Sequence, residues 1–308
     1  MILAAGLTPA WQAILRFRSL RLGEVNRAEE AHWCASGKVL NAGMALAALG
    51  ADAHTLACVG GWSGAAIRAE FEARGLSATW TSTLAPTRIC TTVLTEAGTT
   101  TELVENAAAL TPEEYDAFNA AYAREAANAR AVVLTGSLPR GTPATFYRDL
   151  LARTRCPVVL DARGPELLAA LEQRPRVVKP NREELAMTAG HDLADRAAVL
   201  AAMRGLIERG AGAVVVTQGK AAVWVVEGRD AWELTPPAVE PIVNPIGCGD
   251  CFSAGIALAL SRGEPLLDAV RLGMAAAADN ITQLLPARLA PDRVNAVRDR
   301  IAPPIRIA

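Results

Sequence analysis

The chain has 308 residues, with 31 lysines and arginines against 32 aspartates and glutamates, so its net charge is −1. This balance excludes a general binder of nucleic acids or of anionic membranes, because either partner requires an excess of basic residues. The length suits one large α/β domain or two small ones, and a composition that is 51% hydrophobic but only 5% aromatic predicts a core of small aliphatic side chains, as in helices packed on a parallel sheet.

Two segments in the first third of the chain predict a small β-rich lid. The segment from about residue 14 to residue 34 is strand-like and places polar residues at alternate positions, as a half-exposed strand does. Residues 87–105 are rich in threonine and β-branched residues, with a turn near Gly98, which predicts a hairpin with exposed faces. We therefore place the lid at about residues 12–35 and 86–106, attached to the main sheet.

A helix is predicted between these two segments, opened by Gly37 and Lys38 in the stretch SGKVLNAGMALAALG. Lys38 and Asn41 occupy neighbouring positions at helical spacing, near the positive N-terminal end of the helix. They could bind a phosphate or sugar hydroxyls. They could equally be a solvated lysine and a polar asparagine of a first turn, and the residues alone leave both interpretations open.

The rest of the chain alternates short apolar runs with longer segments of helical period. The predicted strands, each ending at a turn signal, are AVVLTGS (131–137), CPVVLDA (156–162), RVVKPN (176–181) and AVVVTQG (213–219). Helices are predicted within 192–210, after the capping box that begins at Thr111, and after the Thr-Pro pair at 142–143. This alternation predicts a doubly wound α/β sheet, and we take residues 1–308 as one domain.

Asn181 and Glu184 follow the strand that ends in Lys-Pro-Asn, and they have the spacing of a helix capping box. An amide and a carboxylate at the carboxyl end of a strand could also hold a hydrated Mg²⁺ ion, which usually keeps its waters and takes few protein ligands. Both interpretations can be true together.

The stretch NPIGCGDCF at 244–252 carries the strongest chemical signal. A glycine-rich turn before a helix directs backbone N–H groups and the positive helix end at one point, which suits an anion. Asp250 would repel a phosphate there, so its presence suggests a base that accepts a proton from an attacking hydroxyl. The alternatives are an N-capping aspartate for a helix at 251–262, or a redox pair formed by Cys248 and Cys251.

Other motif searches are negative. The chain has no GxxxxGK[ST] phosphate loop, no second CxxC for a structural zinc site, no GxSxG and no partner spacing for its three histidines. Its six cysteines are irregularly spaced and no long apolar segment occurs, so we expect a cytoplasmic chain with reduced thiols and without a membrane span.

Taken together, these segments resemble the ribokinase-like sugar kinases of the PfkB family. GKVLN…ALAALGADAHTLACVGG is similar to the first family signature and NPIGCGDCFSAG to the second, with LTGSLPRG, VVKPNREEL and VVVTQG in the expected order. GEVNR, the PTR that ends at Arg88, TPEE and VNPIGCGD resemble the branch of 1-phosphofructokinases and tagatose-6-phosphate kinases. The resemblance implies a three-layer α/β/α domain, a β-sheet lid that pairs with a second subunit's lid in a homodimer, a sugar phosphate substrate, and ATP with Mg²⁺. It leaves a K⁺ requirement open.

The resemblance also implies roles for individual residues. Asp250 would be the catalytic base, with the backbone N–H groups of Gly247, Cys248, Gly249 and Asp250 as its anion hole. The residues implied to hold the phosphosugar are Gln12, Arg27, Gly37, Lys38, Asn41, Arg88 and Ser137. The residues implied to hold the nucleotide are Lys179, Asn181, Thr217, Gly219 and Asn280, the last near the adenine, with Glu184 acting on the metal indirectly together with Asn181.

Two positions depart from the branch. Gln12 stands where an acidic residue usually accepts hydrogen bonds from sugar hydroxyls. Val39 replaces a glycine, so we expect Val39 either to crowd the sugar site or to forbid a positive φ at that position. We therefore keep two alternatives to a ketohexose monophosphate kinase: a kinase of an unphosphorylated sugar or nucleoside, in which Arg88 serves the lid fold, and a non-catalytic sugar-phosphate binding protein on the same fold. The particular sugar and the hydroxyl that is phosphorylated stay open.

Overall fold

The computed structural model describes all 308 residues, which form fourteen β-strands and ten α-helices. The strands are β1 (Ile2–Gly6), β2 (Ala10–Phe17), β3 (Glu30–Ser36), β4 (Ala53–Val59), β5 (Ala78–Ser82), β6 (Ile89–Thr95), β7 (Thr100–Val104), β8 (Ala131–Thr135), β9 (Val158–Asp161), β10 (Val177–Val178), β11 (Ala213–Gln218), β12 (Ala221–Glu227), β13 (Asp230–Leu234) and β14 (Ile305–Arg306). The helices are α1 (Lys38–Ala48), α2 (Gly61–Ala73), α3 (Pro112–Ala126), α4 (Phe146–Leu151), α5 (Gly164–Ala170), α6 (Arg182–Ala189), α7 (Arg196–Glu208), α8 (Cys248–Ser261), α9 (Leu266–Asn280) and α10 (Pro291–Arg300).

A ten-stranded sheet forms the body of the molecule, in the order β14-β13-β12-β11-β10-β9-β8-β1-β4-β5. Along this order, every neighbouring pair from β11 through β10, β9, β8, β1 and β4 to β5 is parallel, whereas β12, β13 and β14 extend the β11 edge by antiparallel pairing. One buried cluster of 43 residues and another of 34 cover the two faces. Because helices pack on both faces, the central strands are apolar throughout, and the predicted three-layer α/β/α fold is confirmed.

A second sheet of four strands, in the order β3-β2-β6-β7, contains the two segments that we assigned to the lid. The hairpin with a turn at Gly98 is confirmed, since β6 and β7 pair in antiparallel register around it. Alternation along the strands gives this sheet two unlike faces. One face carries Gln12, Cys90 and Glu102 towards a large cleft, and the opposite face leaves Trp33 and Leu103 exposed.

The local predictions mostly hold, with two corrections. Helix α3 begins at the predicted capping box of Thr111 and Glu114, and α7 lies within the predicted range. The Thr-Pro pair at 142–143 does not open a helix, because α4 begins only at Phe146 and the Thr142 hydroxyl pairs instead with the Tyr115 hydroxyl. The expectation that Val39 crowds the sugar site is wrong, since Val39 is fully buried in the core of the main domain.

No helix combines the length and the hydropathy needed to cross a membrane.

Candidate active site

A cleft of about 1560 Å³ lies between the carboxyl ends of the parallel strands and the four-stranded sheet. Ligands of open α/β sheets bind at this edge, because strand ends and helix N-termini converge there. Most of the residues that we expected to act on substrates line the cleft: Gln12, Gly37, Lys38, Asn41, Arg88, Ser137, Lys179, Asn181, Glu184, Thr217, Gly219, Gly247, Cys248, Gly249 and Asp250.

The turn before α8 leaves backbone amides free at one end of this cleft. Gly247 caps the helix with φ 83°, a left-handed conformation that favours glycine. The amides of Gly247, Gly249 and Asp250 donate to no oxygen of the chain, whereas that of Cys248 donates to the Pro245 carbonyl at 3.3 Å. Free amides at the positive end of a fourteen-residue helix are suited to binding an anion.

Asp250 lies in the first turn of α8, and it is not the N-cap residue. Its Oδ2 accepts a hydrogen bond from Asn41 Nδ2 at 2.8 Å, and its Oδ1 has no partner in the chain. Burial, helped by the negative charge of Asp161, raises the pKa of Asp250 to about 6, although Lys38, Lys179 and the Asn41 hydrogen bond oppose the rise. A buried carboxylate with a pKa near neutrality has the properties of a general base.

A buried ion cluster lies beside this carboxylate. Asp161, at the end of β9 and 2% exposed, accepts Lys38 Nζ at 2.9 Å and Lys179 Nζ at 3.2 Å. Burial alone would raise the pKa of Asp161, but the positive charges of Lys179 and Lys38 outweigh burial and lower this pKa to about 2. Lys38 also contacts Glu184 at 3.3 Å, and the three carboxylates Asp161, Glu184 and Asp250 keep its pKa above the ordinary value against the effect of burial.

Asn181 and Glu184 form the predicted capping box. Asn181 Oδ1 accepts the Glu184 amide at 2.8 Å, and Glu184 Oε2 accepts the Asn181 amide at 3.0 Å. This leaves Glu184 Oε1 beside Lys38 at the cleft wall. The chain has no cluster of three His, Cys, Asp or Glu side chains that could hold a metal ion by itself. A Mg²⁺ ion carried by nucleotide phosphates needs only one or two carboxylates, and Glu184 fits that requirement.

One part of the cleft has mainly apolar walls. Thr217, near the end of β11, and Gly219, just after it, line the cleft there, and Thr217 pairs with Asn181 through an isolated bridge. The wall opposite is formed by residues 236–242, which are rich in proline, and by Met274, Ala278 and Ile281 of α9 and its C-terminal end. A slot with apolar walls beside an anion site suits a base and its phosphates.

Arg88 lines the cleft, but three backbone carbonyls already hold its guanidinium. Nε donates to Pro9 at 3.3 Å, Nη2 to Thr8 at 3.1 Å and Nη1 to Glu105 at 3.3 Å. Arg88 therefore ties the four-stranded sheet to the strand connection that follows β1. Guanidinium has five N–H donors, so two remain for a ligand.

Two residues expected to bind substrates lie elsewhere. Arg27 is on the exposed connection between β2 and β3 and does not line the cleft of its own chain. Asn280 is fully buried: its Nδ2 donates to the Ile246 carbonyl at 2.8 Å and its Oδ1 accepts the Ala287 amide at 2.7 Å. Asn280 therefore supports the turn before α8 and does not line the cleft.

The two cysteines of the CxxC stretch are free thiols. Burial raises the pKa of Cys248 to about 11 and raises that of Cys251 further above its usual range. Both thiols stay protonated at neutral pH, which argues against a redox role because the thiolate is the reactive form.

Three features of the cleft were missed from the sequence: Asp161, Glu102 and the wall at 236–242. Asp161 is an acidic residue at the end of a buried strand, a signal that could have been used, since the carboxyl ends of parallel strands carry ligand sites. Glu102 was hidden in a threonine-rich hairpin that we expected to be merely exposed.

Comparison with known proteins is consistent with this geometry. The model of the pfkB family carbohydrate kinases matches residues 9–293. The 1-phosphofructokinase of Escherichia coli (strain K12) is 28% identical over 281 residues, which cover 90% of this chain and 89% of that protein. The phosphofructokinase-2 of Escherichia coli in complex with fructose-6-phosphate has a TM-score of 0.86 at 24% identity and covers 97% of this chain and 98% of its own. A ribokinase from Thermotoga maritima has a TM-score of 0.79 at 21% identity and covers 97% and 99%. These two structures show the ribokinase-like fold.

Proposed function

This chain belongs to the pfkB family of carbohydrate kinases, and on that premise we propose that it transfers the γ-phosphoryl group of ATP to a hydroxyl of a ketohexose monophosphate, of the fructose 1-phosphate or tagatose 6-phosphate type. The observation that carries the proposal is the position of Asp250. Its carboxylate is buried beside three free amides, with one oxygen held by Asn41 and the other unpartnered.

The proposed reaction uses these groups in a single displacement. The sugar hydroxyl gives its proton to Asp250 Oδ1 while its oxygen forms a bond to the γ-phosphorus. The bond from that phosphorus to the β–γ bridging oxygen breaks, and ADP leaves. The free amides of Gly247, Gly249 and Asp250 would bind the oxygens of the transferred group, and losing one such donor costs about 3 kcal/mol of transition-state stabilisation.

The nucleotide would lie along the apolar end of the cleft, with its phosphates near Lys179, Thr217 and Gly219. The ammonium group of Lys179 lies beside Gly249, 3.6 Å from the position that a Cβ atom on this glycine would occupy. Its positive charge is therefore close to the free amides. Bound Mg²⁺ would neutralise phosphate charge, and Glu184, positioned by Asn181, would hold its hydration shell.

Three observations support a phosphorylated acceptor. The curated relative named above is a 1-phosphofructokinase, and one structural neighbour binds fructose-6-phosphate. In this chain Arg88, Ser137 and Gly37 line the same cleft as Asp250, and Arg88 keeps two N–H donors for a phosphate. Arginine suits this role because its planar fork binds phosphate bidentately.

A second candidate is a kinase of an unphosphorylated sugar, and one observation favours it. The three carbonyls that hold Arg88 are sufficient to explain that residue as a fastening of the lid. Arg88→Met separates the two candidates. A phosphosugar kinase should lose at least tenfold in kcat/KM for its acceptor with KM for ATP unchanged, whereas a plain sugar kinase should lose stability and keep its acceptor KM.

The first experiment is ADP release with Mg-ATP against fructose 1-phosphate, fructose 6-phosphate, tagatose 6-phosphate, free hexoses, ribose and nucleosides. We expect turnover on one phosphosugar, and Asp250→Asn should reduce kcat by about 10²–10⁴-fold, the usual contribution of a general base. Retention of most turnover by that variant would refute the role of Asp250. Binding without turnover on every compound would favour a non-catalytic sugar-phosphate binding protein.

We also propose that the four-stranded sheet serves as the lid of one domain, at about residues 12–35 and 86–106, and pairs with a second copy in a cytoplasmic homodimer. Trp33 and Leu103 are 51% and 60% exposed on the face directed away from the cleft, and exposed apolar residues of this size are typical of a contact surface. Arg27 lies outside the cleft of its own chain, so it would reach a ligand only from a partner's lid. Sedimentation of Trp33→Glu should show monomers if this face is the contact.

A further inference from the structure

A chain of three polar side chains crosses the lid sheet on the face towards the cleft. Gln12 of β2 donates from Nε2 to Thr92 Oγ1 at 2.8 Å, and Thr92 of β6 donates from Oγ1 to Glu102 Oε1 at 3.3 Å. Thr92 and Glu102 are directly paired across β6 and β7. Gln12 and Glu102 both line the cleft that contains Asp250.

The hydroxyl of Thr92 fixes the direction of both hydrogen bonds. Thr92 is fully buried and has one proton, and an ionised carboxylate can only accept. Thr92 must therefore donate to Glu102 and accept from the amide nitrogen of Gln12. This assigns the orientation of the Gln12 amide, and it leaves Gln12 Oε1 and Glu102 Oε2 with no donor anywhere in the chain.

We propose that these two free oxygens accept hydrogen bonds from two hydroxyls of the acceptor sugar, and that Glu102 thereby determines which sugars are used. The inference rests on the proposed function, since it requires a polyhydroxylated acceptor. Two acceptor oxygens linked through one buried hydroxyl suit a pair of donor hydroxyls and exclude an anionic group, because the carboxylate would repel it. The substrate's phosphate must therefore point away from Glu102.

The surroundings of Glu102 are consistent with a ligand contact. Glu102 is exposed along the open cleft, yet partial burial of its carboxylate raises its pKa, while the Thr92 hydrogen bond and the nearby charge of Arg88 oppose the rise. A carboxylate that has lost part of its water gains more from a sugar hydroxyl than a solvated one does. Arg88 and Glu102 thus place a cation and an anion near each other. This pair would orient a phosphosugar, with its phosphate towards Arg88 and its hydroxyls towards Glu102.

The test is Glu102→Gln, with Glu96→Gln as the matched control. Glu96 lies in the exposed turn of the same hairpin and outside the cleft. Calorimetric titration without ATP measures sugar binding independently of turnover, using the panel of phosphosugars and free sugars together with deoxy analogues of the tightest binder. We expect Glu102→Gln to weaken binding of that sugar by about 10- to 100-fold, as for loss of a hydrogen bond to a charged group.

The deoxy analogues provide the decisive comparison. In the wild type, the analogue that lacks the contacted hydroxyl should bind at least tenfold more weakly than the parent sugar, and in Glu102→Gln this difference should shrink towards onefold. Glu96→Gln should match the wild type, and nucleotide affinity should be the same in all three proteins. The inference is overturned if Glu102→Gln binds the parent sugar within threefold of wild type, if every deoxy analogue is discriminated as before, or if no sugar binds the wild type. Sugar binding with no turnover would overturn the proposed kinase reaction and leave the role of Glu102 supported.

Discussion

Asp161→Asn should be strongly destabilising, because Asp161 is the only carboxylate in salt-bridge contact with Lys179. Lys179 is 3% exposed and Asp161 is 2% exposed, with Nζ and Oδ2 separated by 3.2 Å. Removing the carboxylate leaves a charged ammonium buried without a partner, which typically costs 3–5 kcal/mol. The depressed pKa of Asp161 agrees in sign: a fall from 3.8 to about 2 corresponds to about 2–3 kcal/mol at about 1.36 kcal/mol per pKa unit.

The pH dependence of this effect has a definite sign. The folded pKa of Asp161 is depressed, so its contribution to stability is present above the unfolded value of 3.8 and is lost as the pH falls through about 2. Urea unfolding should therefore show a loss of about 2–5 kcal/mol for Asp161→Asn at pH 7 and a smaller loss at pH 3. Asp52→Asn is the control, because Asp52 is 75% exposed in its ion pair with the N-terminus and should cost less than about 1 kcal/mol.

A loss below about 1 kcal/mol at pH 7, or one of equal size at pH 3, would refute this reasoning. Either outcome would mean that Lys179 finds water or another acceptor when Asp161 is absent.

Two further predictions follow from burial and packing. Because the pKa of Asp250 is raised to about 6 and a base must be ionised to act, kcat/KM should rise with pH through about 6; a flat profile between pH 5 and pH 7 would contradict the assignment. Gly255→Ala should lower stability by about 1–3 kcal/mol in thermal or urea unfolding, because its Cβ would lie 2.7 Å from the Gly273 backbone where α8 crosses α9. Gly205→Ala on α7 meets nothing within 4 Å and should instead add about 0.5–1 kcal/mol through helix propensity; equal effects of the two variants would show that packing is not the cause.

Features governed by local sequence were predicted well. The capping boxes at Thr111 and Asn181, the hairpin around Gly98 and the alternation of strands and helices depend on residues a few positions apart, and the structure has all of them. The glycine turn before α8 belongs to the same class, because a left-handed glycine and a helix N-terminus are both visible in a short stretch.

Features that depend on distant pairing were not predicted. Lys38 and Asp161 are 123 residues apart, so nothing near Lys38 indicates that its charge is already balanced within the chain. The prediction for Val39 failed for a related reason. Gly37 precedes α1 with φ 89°, and this conformation sets the helical phase, that is, which side of the helix each residue of the first turn occupies. That phase directs Val39 into the core and Lys38 and Asn41 towards the cleft, which no pattern in the first turn reveals.

The ion cluster and the proposed base are coupled, and this coupling gives a prediction that links stability to catalysis. The negative charge of Asp161 helps to raise the pKa of Asp250, and Lys38 and Lys179 help to lower it. In Asp161→Asn the repulsive charge is gone and both lysines lose their closest anion, so both changes favour the ionised form of Asp250. The acidic limb of the kcat/KM profile should therefore move below its wild-type position near pH 6, in a variant that is less stable. An acidic limb that stays in place or moves to higher pH would show that the charge of Asp161 does not raise the pKa of Asp250. It would also show that the lysines leave the cleft when their partner is removed.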